Sequence, residues 1–553
     1  MTLPTGKRQV NDHMTGKEIE SETFDFIVIG GGTAGCVVAS RLSEDPGTSV
    51  CLIEAGPRDT NPFIRMPAGF FKTLFNPRIT WQFAAEPSPR SGRRVEVTQG
   101  RTLGGSSAIN GMIINRGQAQ DFDDWADMGN AGWNYESVLP YFKKFEHFAG
   151  EAGNYRGHGG PLPVGETPFP LPAADAFTRA AMAMGVPYNA DSNGREHHGV
   201  GPNQFAIHSG RRVSTAHAYL QPARSRRNLE IRTGALVCGI VFAGARATGV
   251  DYLREGSPDR RRLLARRGVI VSAGTIGTPR LLQLSGLGAP ATLASAGVET
   301  VRALPGIGRN LHDHYNARLV ARGRSDDTSI NRRVKGWRLL VETMRWTAHQ
   351  PSVLGIGPGV AHLNGYSKYA NGRADYSLLF MPGSMKKGFA GRLDDFPGFT
   401  CGGWTMRPRS AGFVEIASSD PREAPKIQLN HLADEHDRAI AVESLKMARS
   451  LLMAKEMEPF IAEEIFPGPD VHSDDDWLAF AMENGGTSYH YSGTARMGAA
   501  DDPEAVVDNR LQVHGFEGLH VVDASIMPSS VSANTQAATM MIAEKGADLI
   551  RQR

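Results

Sequence analysis

The apolar positions near the start of the chain predict two strands with a helix between them. Residues 24–29, FDFIVI, and residues 50–53, VCLI, are short apolar runs rich in β-branched residues. Such runs are typical of strands buried on both faces of a parallel sheet. The small residues of 34–42 predict a helix that ends near Pro46-Gly47. The three elements together predict a βαβ unit of about 30 residues.

The rest of the chain continues to alternate between strands and helices, which is typical of the α/β class. Apolar runs predict strands at 229–232, 236–242, 247–253, 268–272 and 519–523. Helical patterns predict helices at 121–147, 334–347, 434–454 and 535–551, and one more that starts near Thr278-Pro279. Residues 313–430 mix short strands and helices. Loops rich in proline and glycine are expected at 56–105, and an irregular segment at 148–203.

Length and composition indicate a folded protein large enough to enclose a ligand. The 553 residues suit three or four domains, or two intertwined ones. The net charge is only +2, so bulk electrostatics gives no reason to expect a nucleic-acid partner. The densest basic run, Arg260–Arg267, precedes an apolar run, which predicts a solvated strand edge or hairpin rather than a phosphate-binding patch.

Cysteine usage and the N-terminus indicate a reduced, cytoplasmic protein. The four cysteines lie at 36, 51, 238 and 401 without a CxxC pair, and Cys36 and Cys51 fall in predicted buried elements. The first 23 residues mix charges and lack the apolar core of a secretory signal, so a flexible arm is expected there. No run of 18 apolar residues predicts a spanning helix, and surface contact with a membrane stays open.

A glycine-rich turn follows the first predicted strand. Gly30, Gly32 and Gly35 satisfy G-x-G-x-x-G, and Glu54 ends the next predicted strand. Gly30 permits the tight turn, Gly32 lets the backbone approach a pyrophosphate, and Gly35 allows close helix–strand packing. The following helix offers free N–H groups to phosphates. Glu54 can accept hydrogen bonds from ribose hydroxyls and disfavours a 2′-phosphate, which predicts FAD or NAD rather than NADP.

Three further segments combine glycine and small polar residues with apolar runs. QGRTLGGSSAINGMIINRG at 99–117 is either a buried glycine turn or backbone that lies against a planar ring or a diphosphate. GVIVSAGTIGTPRLLQLSGLG at 268–288 repeats the order strand, turn, helix, with proline expected in the first helical turn. The C-terminal segment has a strand, a turn through 523–525 and a helix preceded by Asn534.

Two residues of the C-terminal region allow two readings each. His490, in SYHYSGTARMG at 488–498, is either an ordinary packed histidine or a catalytic base. Asn534 is either the N-cap of the last helix or a ligand-binding amide. The sequence around these residues does not decide between the readings.

The motifs taken together resemble the glucose–methanol–choline (GMC) oxidoreductases, a flavoprotein family of alcohol oxidases and dehydrogenases. The resemblance runs from about residue 24 to 550 and rests on six ordered segments. They are VIGGGTAGC…LIEAG, GRTLGGSSAINGMIINRG, VIVSAGTIGTPRLLQLSGLG, LPGIGRNLHDH, HYSGTARMG and VVDASIMPSSVSANTQAATMMIAEKGADLI. The family's usual histidine motif has proline where this chain has Tyr491 and cysteine where it has Ala495, and neither departure removes a reacting group.

The resemblance implies an α/β fold in which a Rossmann-like FAD-binding domain is interleaved with an α+β substrate-binding domain built on an antiparallel sheet. It implies FAD-binding segments at 24–155, 205–312 and 485–553, and substrate-binding segments at 156–204 and 313–484. FAD is expected to be bound non-covalently or, less often, covalently. The residues expected to bind it are Gly30, Gly32, Thr33, Ala34, Gly35, Glu54, Ala55, Arg101, Leu103, Gly104, Gly105, Ser106, Asn110, Gly111, Met112, Ile113, Val237, Ala273, Gly274, Asp523, Ala524, Asn534, Thr535 and Ala537.

The implied reaction is the oxidation of a primary alcohol to an aldehyde, with a hydride moving to flavin N5. His490 matches the histidine that faces the flavin and is expected to take the hydroxyl proton, and Asn534 is expected to hold the substrate oxygen. The partners implied are a small alcohol and an electron acceptor, either oxygen, a quinone or another carrier, with a dehydrogenase favoured over an oxidase. A monomer or a homodimer is expected. The alternatives are an NAD-dependent dehydrogenase, a lyase or light-driven decarboxylase of the same fold, and an inactive binding protein.

The substrate and two histidine pairs are less well defined. Residues 56–95 and 313–484 are expected to shape the substrate site, so an aliphatic, polyether, aryl or choline-like alcohol is possible. The apolar side chains of the first segment suit either a nonpolar substrate or a packed lid; they are Met66, Phe70, Phe71, Phe75, Trp81 and Phe83. His312 and His314 form H-x-H without a cluster of cysteine or glutamate, so a structural role is expected and no metal. The pair His197-His198 is expected at the surface.

Overall fold

The first strand of the protein is longer than its apolar run predicts. A computed structural model describes residues 21–151, 153–167, 169–386 and 391–552, and the strand spans Ser21–Ile29 rather than 24–29. Residues 21–23, the last three of the predicted flexible arm, therefore belong to a strand. The other residues of that arm, 1–20, lie outside the described residues.

The described residues form 24 strands. In chain order they are β1 Ser21–Ile29, β2 Val50–Ile53, β3 Thr80–Ala84, β4 Glu96–Gly100, β5 Glu146–Phe148, β6 Leu162–Val164, β7 Gly199–Pro202, β8 Ile207–His208, β9 Arg211–Arg212, β10 Leu229–Arg232, β11 Ala235–Ala243, β12 Arg246–Arg254, β13 Arg260–Val271, β14 Leu287–Gly288, β15 Arg302–Ala303, β16 Tyr315–Gly323, β17 Ala361–Gly365, β18 Tyr376–Met381, β19 Gly398–Thr405, β20 Phe413–Glu415, β21 Lys426–Gln428, β22 Ile461–Phe466, β23 Gly486–Thr487 and β24 Leu519–Val521.

The same residues form 14 α-helices. They are α1 Thr33–Leu42, α2 Pro62–Arg65, α3 Phe70–Thr73, α4 Ala119–Asp127, α5 Tyr135–Phe145, α6 Pro172–Ala183, α7 Gln221–Ala223, α8 Gly274–Leu284, α9 Pro290–Ser295, α10 Ile330–Arg333, α11 Gly336–Thr347, α12 Glu435–Leu452, α13 Asp474–Asn484 and α14 Thr535–Arg551. Short 3-10 turns at Gly105–Ala108 and Ala524–Ile526 complete the parts that matter for the site.

The first of two large sheets is parallel at its centre. Strands β10, β2, β1 and β13 pair in that order, all parallel, and β24 pairs in parallel with the end of β13. Strands β12 and β11 extend the other edge in antiparallel register. β2 is buried along its whole length, as its continuous apolar run predicts. Helix α14 contacts both α1 and α5, and the three helices share one hydrophobic core with this sheet.

The second large sheet is antiparallel. Its strand order is β22-β16-β19-β18-β17-β7, and β23 pairs with the start of β16. Helices α6, α12 and α13 cover one face of it and share a second hydrophobic core with its strands. α12 begins after Asp434, whose carboxylate accepts a hydrogen bond from the amide of His436 at 2.8 Å, so its start has an ordinary N-cap. The predicted fold class, an α/β part joined to an antiparallel part, is confirmed.

The predicted helix at 121–147 is wrong because it is two helices. α4 ends at Asp127 and α5 begins at Tyr135. Gly129 and Gly132 lie between them with φ angles of 90° and 84°, a conformation that interrupts an α-helix and that glycine adopts without strain. Apolar residues on either side of the break give a single continuous helical pattern in the sequence.

The helix expected to start near Thr278-Pro279 begins earlier, at Gly274, and contains Pro279 in its interior. Proline cannot donate the hydrogen bond that the carbonyl of Thr275 would receive. The hydroxyl of Thr494 donates to that carbonyl instead, at 2.6 Å. A side chain from the C-terminal part of the chain thus replaces the missing donor.

Two segments expected to lack regular structure contain elements. Residues 56–105 include the hairpin of β3 and β4, which carries Trp81 and Phe83. Residues 148–203 include α6, an alanine-rich helix with proline at its first position. The proline and glycine content of both segments concealed these elements.

The cysteines, the arginine run and one histidine pair each have a defined place in the structure. The four cysteines are buried and form no disulfide within the described residues. The arginine run at 260–267 lies in β13, where most of its arginines are exposed, as expected of a solvated strand. The expectation that His197 and His198 lie at the surface is wrong for His197, whereas His198 is half-buried. His197 is buried and the His198 ring packs on Tyr366, because the loop that carries them lies against the second sheet. In the part of the chain that the structure describes, no helix is both long and apolar enough to cross a membrane.

Candidate active site

A cavity of about 1180 Å³ is lined by residues of both large sheets. The first sheet contributes the ends of β1 and β2, and the second contributes residues of β16, β18 and β19. Three helices, α1, α8 and α14, begin at this cavity, because Thr33, Gly274 and Thr535 line it. A helix start presents unpaired N–H groups and a partial positive charge. The cavity is therefore suited to an anionic ligand with a long, partly apolar body.

The glycine turn of β1 and α1 lies against a second glycine turn. A Cβ atom on Gly105 would stand 2.5 Å from the Cα of Gly32, so position 105 requires glycine. Gly104 donates its amide to the carbonyl of Gly31 at 2.7 Å, which holds the two turns together. Gly32 and Gly105 both line the cavity, and the arrangement leaves only backbone on this part of the wall.

Glu54 links the glycine turn after β1 to the segment that follows β2. Its carboxylate oxygens accept hydrogen bonds from the amides of Gly31 and Gly56, each at 2.7 Å. Burial raises the pKa of Glu54 to about 7, although the two amides and Arg101 oppose the shift. Each carboxylate oxygen has a second lone pair, so Glu54 can accept further hydrogen bonds from a ligand in the cavity.

Asp523 holds α8 against the C-terminal segment. One carboxylate oxygen accepts from the amide of Gly274 at 2.8 Å and from the hydroxyl of Thr278 at 2.6 Å, and the other accepts from the amide of Ser525 at 2.8 Å. Burial raises the pKa of Asp523. These bonds fix the start of α8 where it meets the cavity.

The loop at 110–113 is held by side chains on both sides. The Asn110 amide nitrogen donates to Oε1 of Gln536 at 2.5 Å, and its oxygen accepts from Nη1 of Arg212 at 2.9 Å and from the amide of Met112 at 3.0 Å. Met112 has a φ of 64°, in the left-handed region. The loop therefore presents its backbone to the cavity beside the start of α14.

His490, Asn534 and His314 form one hydrogen-bonded chain at the cavity. The distance from Nε2 of His490 to Nδ2 of Asn534 is 2.8 Å, and that from Nδ1 of His490 to Nδ1 of His314 is 2.9 Å. On its far side, Nε2 of His314 lies 2.9 Å from the carbonyl oxygen of Met406. Asn534 is the N-cap residue of α14, but its side chain makes no capping bond. It contacts His490 instead.

The partners in this chain assign the protons of both imidazoles. The carbonyl of Met406 can only accept, so His314 carries its proton on Nε2 and accepts at Nδ1. Nδ1 of His490 must therefore donate to it. Nε2 of His490 is then left without a proton and accepts from the Asn534 amide. The lone pair of His490 thus points to the side of the cavity where Asn534 lies.

Burial keeps both imidazoles neutral. It lowers the pKa of His490 to about 3, with His314 acting in the same direction and Asp313 opposing it. Burial likewise lowers the pKa of His314 to about 4. A neutral His490 is the form that can take a proton from a substrate.

The His490 backbone and ring are both held in place. The amide of His490 donates to Oδ1 of Asp313 at 2.9 Å, while Oδ2 of Asp313 accepts from Nε2 of His431 at 2.8 Å. Burial alone would raise the pKa of Asp313, but the hydrogen bond and charge of His431, the hydrogen bond of Thr487 and the electrostatic effect of His490 together lower it. The Trp404 ring meets the His490 ring edge-on, with centroids 5.4 Å apart.

Comparison with known proteins agrees with this geometry. The GMC oxidoreductase family matches the chain in two parts, an N-terminal part at residues 24–316 and a C-terminal part at 408–543. The chain belongs to the GMC oxidoreductase family.

Similar proteins and solved structures extend over nearly the whole chain. A Staphylococcus aureus (strain MSSA476) protein named oxygen-dependent choline dehydrogenase is 37% identical over 97% of this chain and 94% of its own length. The structure of pyridoxine 4-oxidase from Mesorbium loti is 29% identical, with a TM-score of 0.86 over 96% of this chain and 99% of its own. An Aspergillus oryzae formate oxidase, described in connection with modification of its FAD, is 25% identical, with a TM-score of 0.89 over 97% and 99%.

As a GMC oxidoreductase, the protein is an FAD-dependent oxidoreductase that acts on CH–OH donors. The residues present fit that cofactor. The paired glycine turns leave a cradle without side chains, three helix starts face the cavity, and Glu54 keeps free lone pairs there. The first two features suit a pyrophosphate, and the third suits ribose hydroxyls.

Most residues that the GMC resemblance proposes for FAD line the cavity. They are Gly30, Gly32, Thr33, Ala34, Glu54, Ala55, Gly105, Ser106, Asn110, Gly111, Met112, Ile113, Val237, Ala273, Gly274, Asp523, Ala524, Asn534 and Thr535. Five others lie behind the wall: Gly35, Arg101, Leu103, Gly104 and Ala537. Gly35 packs α1 against β1, since a Cβ there would stand 1.8 Å from the Gly30 carbonyl oxygen. The role of each residue in binding FAD stays a proposal.

Two residues of this GMC oxidoreductase, one on the cavity wall and one behind His490, were assigned no such role from the sequence. His314 was expected to be structural, yet it assigns the tautomer of His490. Gln536 holds the Asn110 loop from the first turn of α14. His312, the other member of H-x-H, bonds to Asn310 and to the Ser410 carbonyl. Within the described residues, no group of three or more histidine, cysteine or acidic side chains is placed to hold a metal ion.

Tyr491, which departs from the GMC histidine motif, anchors the loop that carries His490. Its side chain is buried in a small core with Phe83 and Leu311, and its hydroxyl lies 3.0 Å from Oγ1 of Thr487. Its carbonyl accepts from the hydroxyl of Thr275 at 2.9 Å. The aromatic ring and these two hydrogen bonds give the loop the rigidity that a proline would give through its backbone.

Replacing Tyr491 with phenylalanine is expected to lower the free energy of unfolding by about 1 kcal/mol, the usual contribution of one buried hydrogen bond. The rate of flavin reduction is expected to stay within about threefold of wild type, because the ring that positions the loop remains. Urea unfolding and stopped-flow reduction measure the two effects. A large kinetic loss with unchanged stability would contradict the anchoring role.

Proposed function

We propose that the protein oxidises a primary alcohol to an aldehyde, with His490 as the general base and Asn534 as the residue that holds the substrate oxygen. The observation that carries the proposal is the hydrogen-bonded chain from Asn534 through His490 and His314 to the Met406 carbonyl. It leaves a neutral imidazole nitrogen, Nε2 of His490, beside an amide donor at the wall of the cavity. An alcohol needs these two groups at its oxygen.

The residues act on the substrate in a simple order. The alcohol replaces the hydrogen bond between Asn534 and His490: the Asn534 amide donates to the hydroxyl oxygen instead, and the freed lone pair on Nε2 of His490 accepts the hydroxyl proton. Asn534 stands at the start of α14, whose partial positive charge stabilises the oxygen as it becomes negative. Bound FAD supplies the acceptor for the hydride that leaves the carbon.

The electron acceptor is a separate part of the proposal. The relatives are named oxygen-dependent choline dehydrogenase, a name that does not favour a quinone over oxygen, and we propose a dehydrogenase in which a quinone or another carrier takes the electrons. The enzyme is first reduced by an alcohol in the absence of oxygen. It is then expected to be reoxidised faster by a soluble quinone than by the same concentration of dissolved oxygen. Faster reoxidation by air would make it an oxidase, as the solved neighbours are named.

A panel of primary alcohols tests the reaction itself. The holoenzyme is mixed with each alcohol in the absence of oxygen, and bleaching of the flavin absorption reports reduction. The proposal predicts bleaching by at least one class of primary alcohol with release of the aldehyde. A holoenzyme that releases carbon dioxide or cleaves its substrate without flavin reduction would be a decarboxylase or a lyase.

Replacing Asn534 with alanine is expected to slow flavin reduction about 100-fold, because the developing negative charge on the oxygen loses a positioned donor. FAD content, measured by absorbance after gel filtration, is expected to stay at the wild-type level. Asn509→Ala is the matched control, since the Asn509 amide bonds to the Ala131 carbonyl and does not line the cavity. If Asn534→Ala lost FAD instead, Asn534 would have a structural role.

A further inference from the structure

Arg318 is a cation at the cavity without a partner. Its side chain lines the cavity, yet it makes no hydrogen bond or ion pair with any residue that the structure describes. Arg318 is exposed by surface area because it faces the open cavity. Protein nevertheless surrounds it, and this burial lowers the pKa of its guanidinium. A charged side chain on the cavity wall that has no partner among the described residues is available to an anionic ligand.

The other cations along the cavity have partners. They are Arg93, which donates to the carbonyls of Met482 and Gly485; Arg94, which donates to the Ala85 carbonyl; Arg280, which donates to the Pro421 carbonyl; and Lys386, which pairs with Asp395. Arg318 differs from all four. Its positive charge is available to a molecule that enters the cavity.

The sheet directs Arg318 towards the cavity. Along β16, Asn316, Arg318 and Val320 line the cavity, while the alternate residues 317, 319 and 321 belong to the second core. Gly402 of β19 is paired with Arg318, and a Cβ there would stand 2.8 Å from the Arg318 Cγ. The glycine thus makes room for the arginine side chain on this face of the sheet.

The charges near Arg318 do not neutralise it. The neighbouring ionisable group is the Tyr489 phenol, whose raised pKa, due first to burial, keeps it uncharged. Glu96 also lines the cavity but is exposed on β4, where water screens its carboxylate. Glu96 is not among the groups that act on the Arg318 guanidinium, so it does not neutralise the arginine.

We propose that Arg318 binds a carboxylate on the alcohol substrate, and that the substrate is a hydroxymethyl aromatic carboxylate. This inference rests on the proposed alcohol oxidation. A guanidinium matches a carboxylate with two parallel hydrogen bonds, and one arginine balances its single negative charge. A phosphate, with nearly two charges, would require more cations than this wall offers.

The spacing and the lining select an aromatic spacer. His314 immediately precedes β16, and its Cα is four residue steps from that of Arg318, a separation of about 13 Å along a strand. This spacing along the strand favours a substrate with a spacer between its hydroxyl and its carboxylate over a short 2-hydroxy acid. The wall between them carries Trp404 and Tyr489, flat side chains that suit a ring with its hydroxymethyl and carboxylate at opposite ends.

The Arg318 cation on the cavity wall disfavours choline, the alcohol for which several relatives are named. Choline is a cation, and an uncompensated guanidinium on the cavity wall repels a cationic group. The holoenzyme is therefore expected to prefer an anionic alcohol to a neutral one of the same shape, and a neutral alcohol to a cationic one.

Three matched alcohols test this order in stopped-flow flavin reduction. They are 4-(hydroxymethyl)benzoate, 4-(hydroxymethyl)benzamide and 4-(hydroxymethyl)phenyltrimethylammonium. The efficiency of reduction is expected to be about 100-fold higher for the benzoate than for the benzamide, as for a desolvated charge pair, and lowest for the cation. Equal efficiencies for benzoate and benzamide in the wild type would overturn the proposal.

Variants assign the preference to one side chain. Arg318→Gln is expected to remove the advantage of the benzoate through its KM and to leave the benzamide within about threefold, while Arg318→Lys restores part of the advantage. Arg322→Gln is the control, because Arg322 lies on the same strand, pairs with Glu463 and does not line the cavity. Equal losses for benzoate and benzamide in Arg318→Gln would show a structural role and overturn the proposal.

A binding measurement separates this inference from the proposed reaction. Calorimetric titration with 4-methylbenzoate, which has no hydroxyl, is expected to show binding to wild type and to His490→Ala, and about 100-fold weaker binding to Arg318→Gln. Arg318-dependent binding without flavin reduction by any alcohol would contradict the proposed reaction alone. If neutral alcohols reduced the flavin but Arg318→Gln bound 4-methylbenzoate as tightly as wild type, the carboxylate site alone would be contradicted.

Discussion

Replacing His490 with alanine is expected to slow flavin reduction by alcohol about 1000-fold while FAD stays bound. Positioned general bases commonly contribute factors of about 100 to 10000. Nε2 of His490 is the unprotonated nitrogen that faces the Asn534 amide, and the substitution removes it. Water in the space left by the imidazole is a far weaker base and is not positioned. Anaerobic stopped-flow absorbance of the holoenzyme measures the rate.

The control for this prediction is a histidine with similar burial elsewhere. His362 is buried, its pKa is lowered to about 4 by burial, and it does not line the cavity. His362→Gln is expected to reduce at nearly the wild-type rate. Wild-type reduction in His490→Ala would exclude His490 as the base, whereas loss of FAD would show that it supports the cofactor site.

Replacing Glu146 with glutamine is expected to lower the free energy of unfolding by about 3–5 kcal/mol, the usual cost of breaking a buried ion pair. Glu146 is buried between two buried arginines, 2.6 Å from Arg116 and 2.6 Å from Arg156. Glutamine keeps the shape but removes the charge, so both guanidinium groups lose their shared counter-charge. Arg156 keeps Asp191, but Arg116 has no second carboxylate among the ion pairs of the described residues.

The Glu146→Gln substitution is also expected to disturb the cavity wall, because Arg116 closely follows the 110–113 loop. The Arg116 amide donates to Asn193 at 2.8 Å. Urea unfolding measures the free energy of unfolding, and the amount of FAD retained reports whether the 110–113 loop keeps its position. Glu463→Gln is the matched control, because its pair with Arg322 is exposed and is expected to contribute less than about 1 kcal/mol. Equal losses of stability in Glu146→Gln and Glu463→Gln would show that other groups compensate the charges of Arg116 and Arg156.

The parts of the fold that could be predicted from sequence depend on neighbours in the chain. The βαβ unit with its glycine turn was predicted because strand, turn and helix follow one another within 24–53. The last helix was predicted with its observed limits, Thr535–Arg551, from apolar periodicity. The family and FAD were predicted because the six motifs keep their order, and the comparisons confirm both.

The parts that could not be predicted depend on residues far apart in sequence. α8 continues through Pro279 because the distant Thr494 donates to the Thr275 carbonyl. His314 contacts His490 across 176 positions, and H-x-H spacing alone carries no sign of that contact. The orientation of Arg318 follows from the pairing of β16 with β19, a register that single-sequence patterns do not reveal. The domain limits and the role of each site residue remain predictions.

The hydrogen-bonded chain behind His490 ends at the Met406 carbonyl, an atom that neither donates nor retains a proton at ordinary pH. His314 already uses its proton there, and its buried ring resists a second one. A proton taken up by His490 therefore has no exit towards the protein interior. It must return through the cavity by which the alcohol arrives, so each turnover requires the aldehyde to depart, or water to enter, before the base is regenerated.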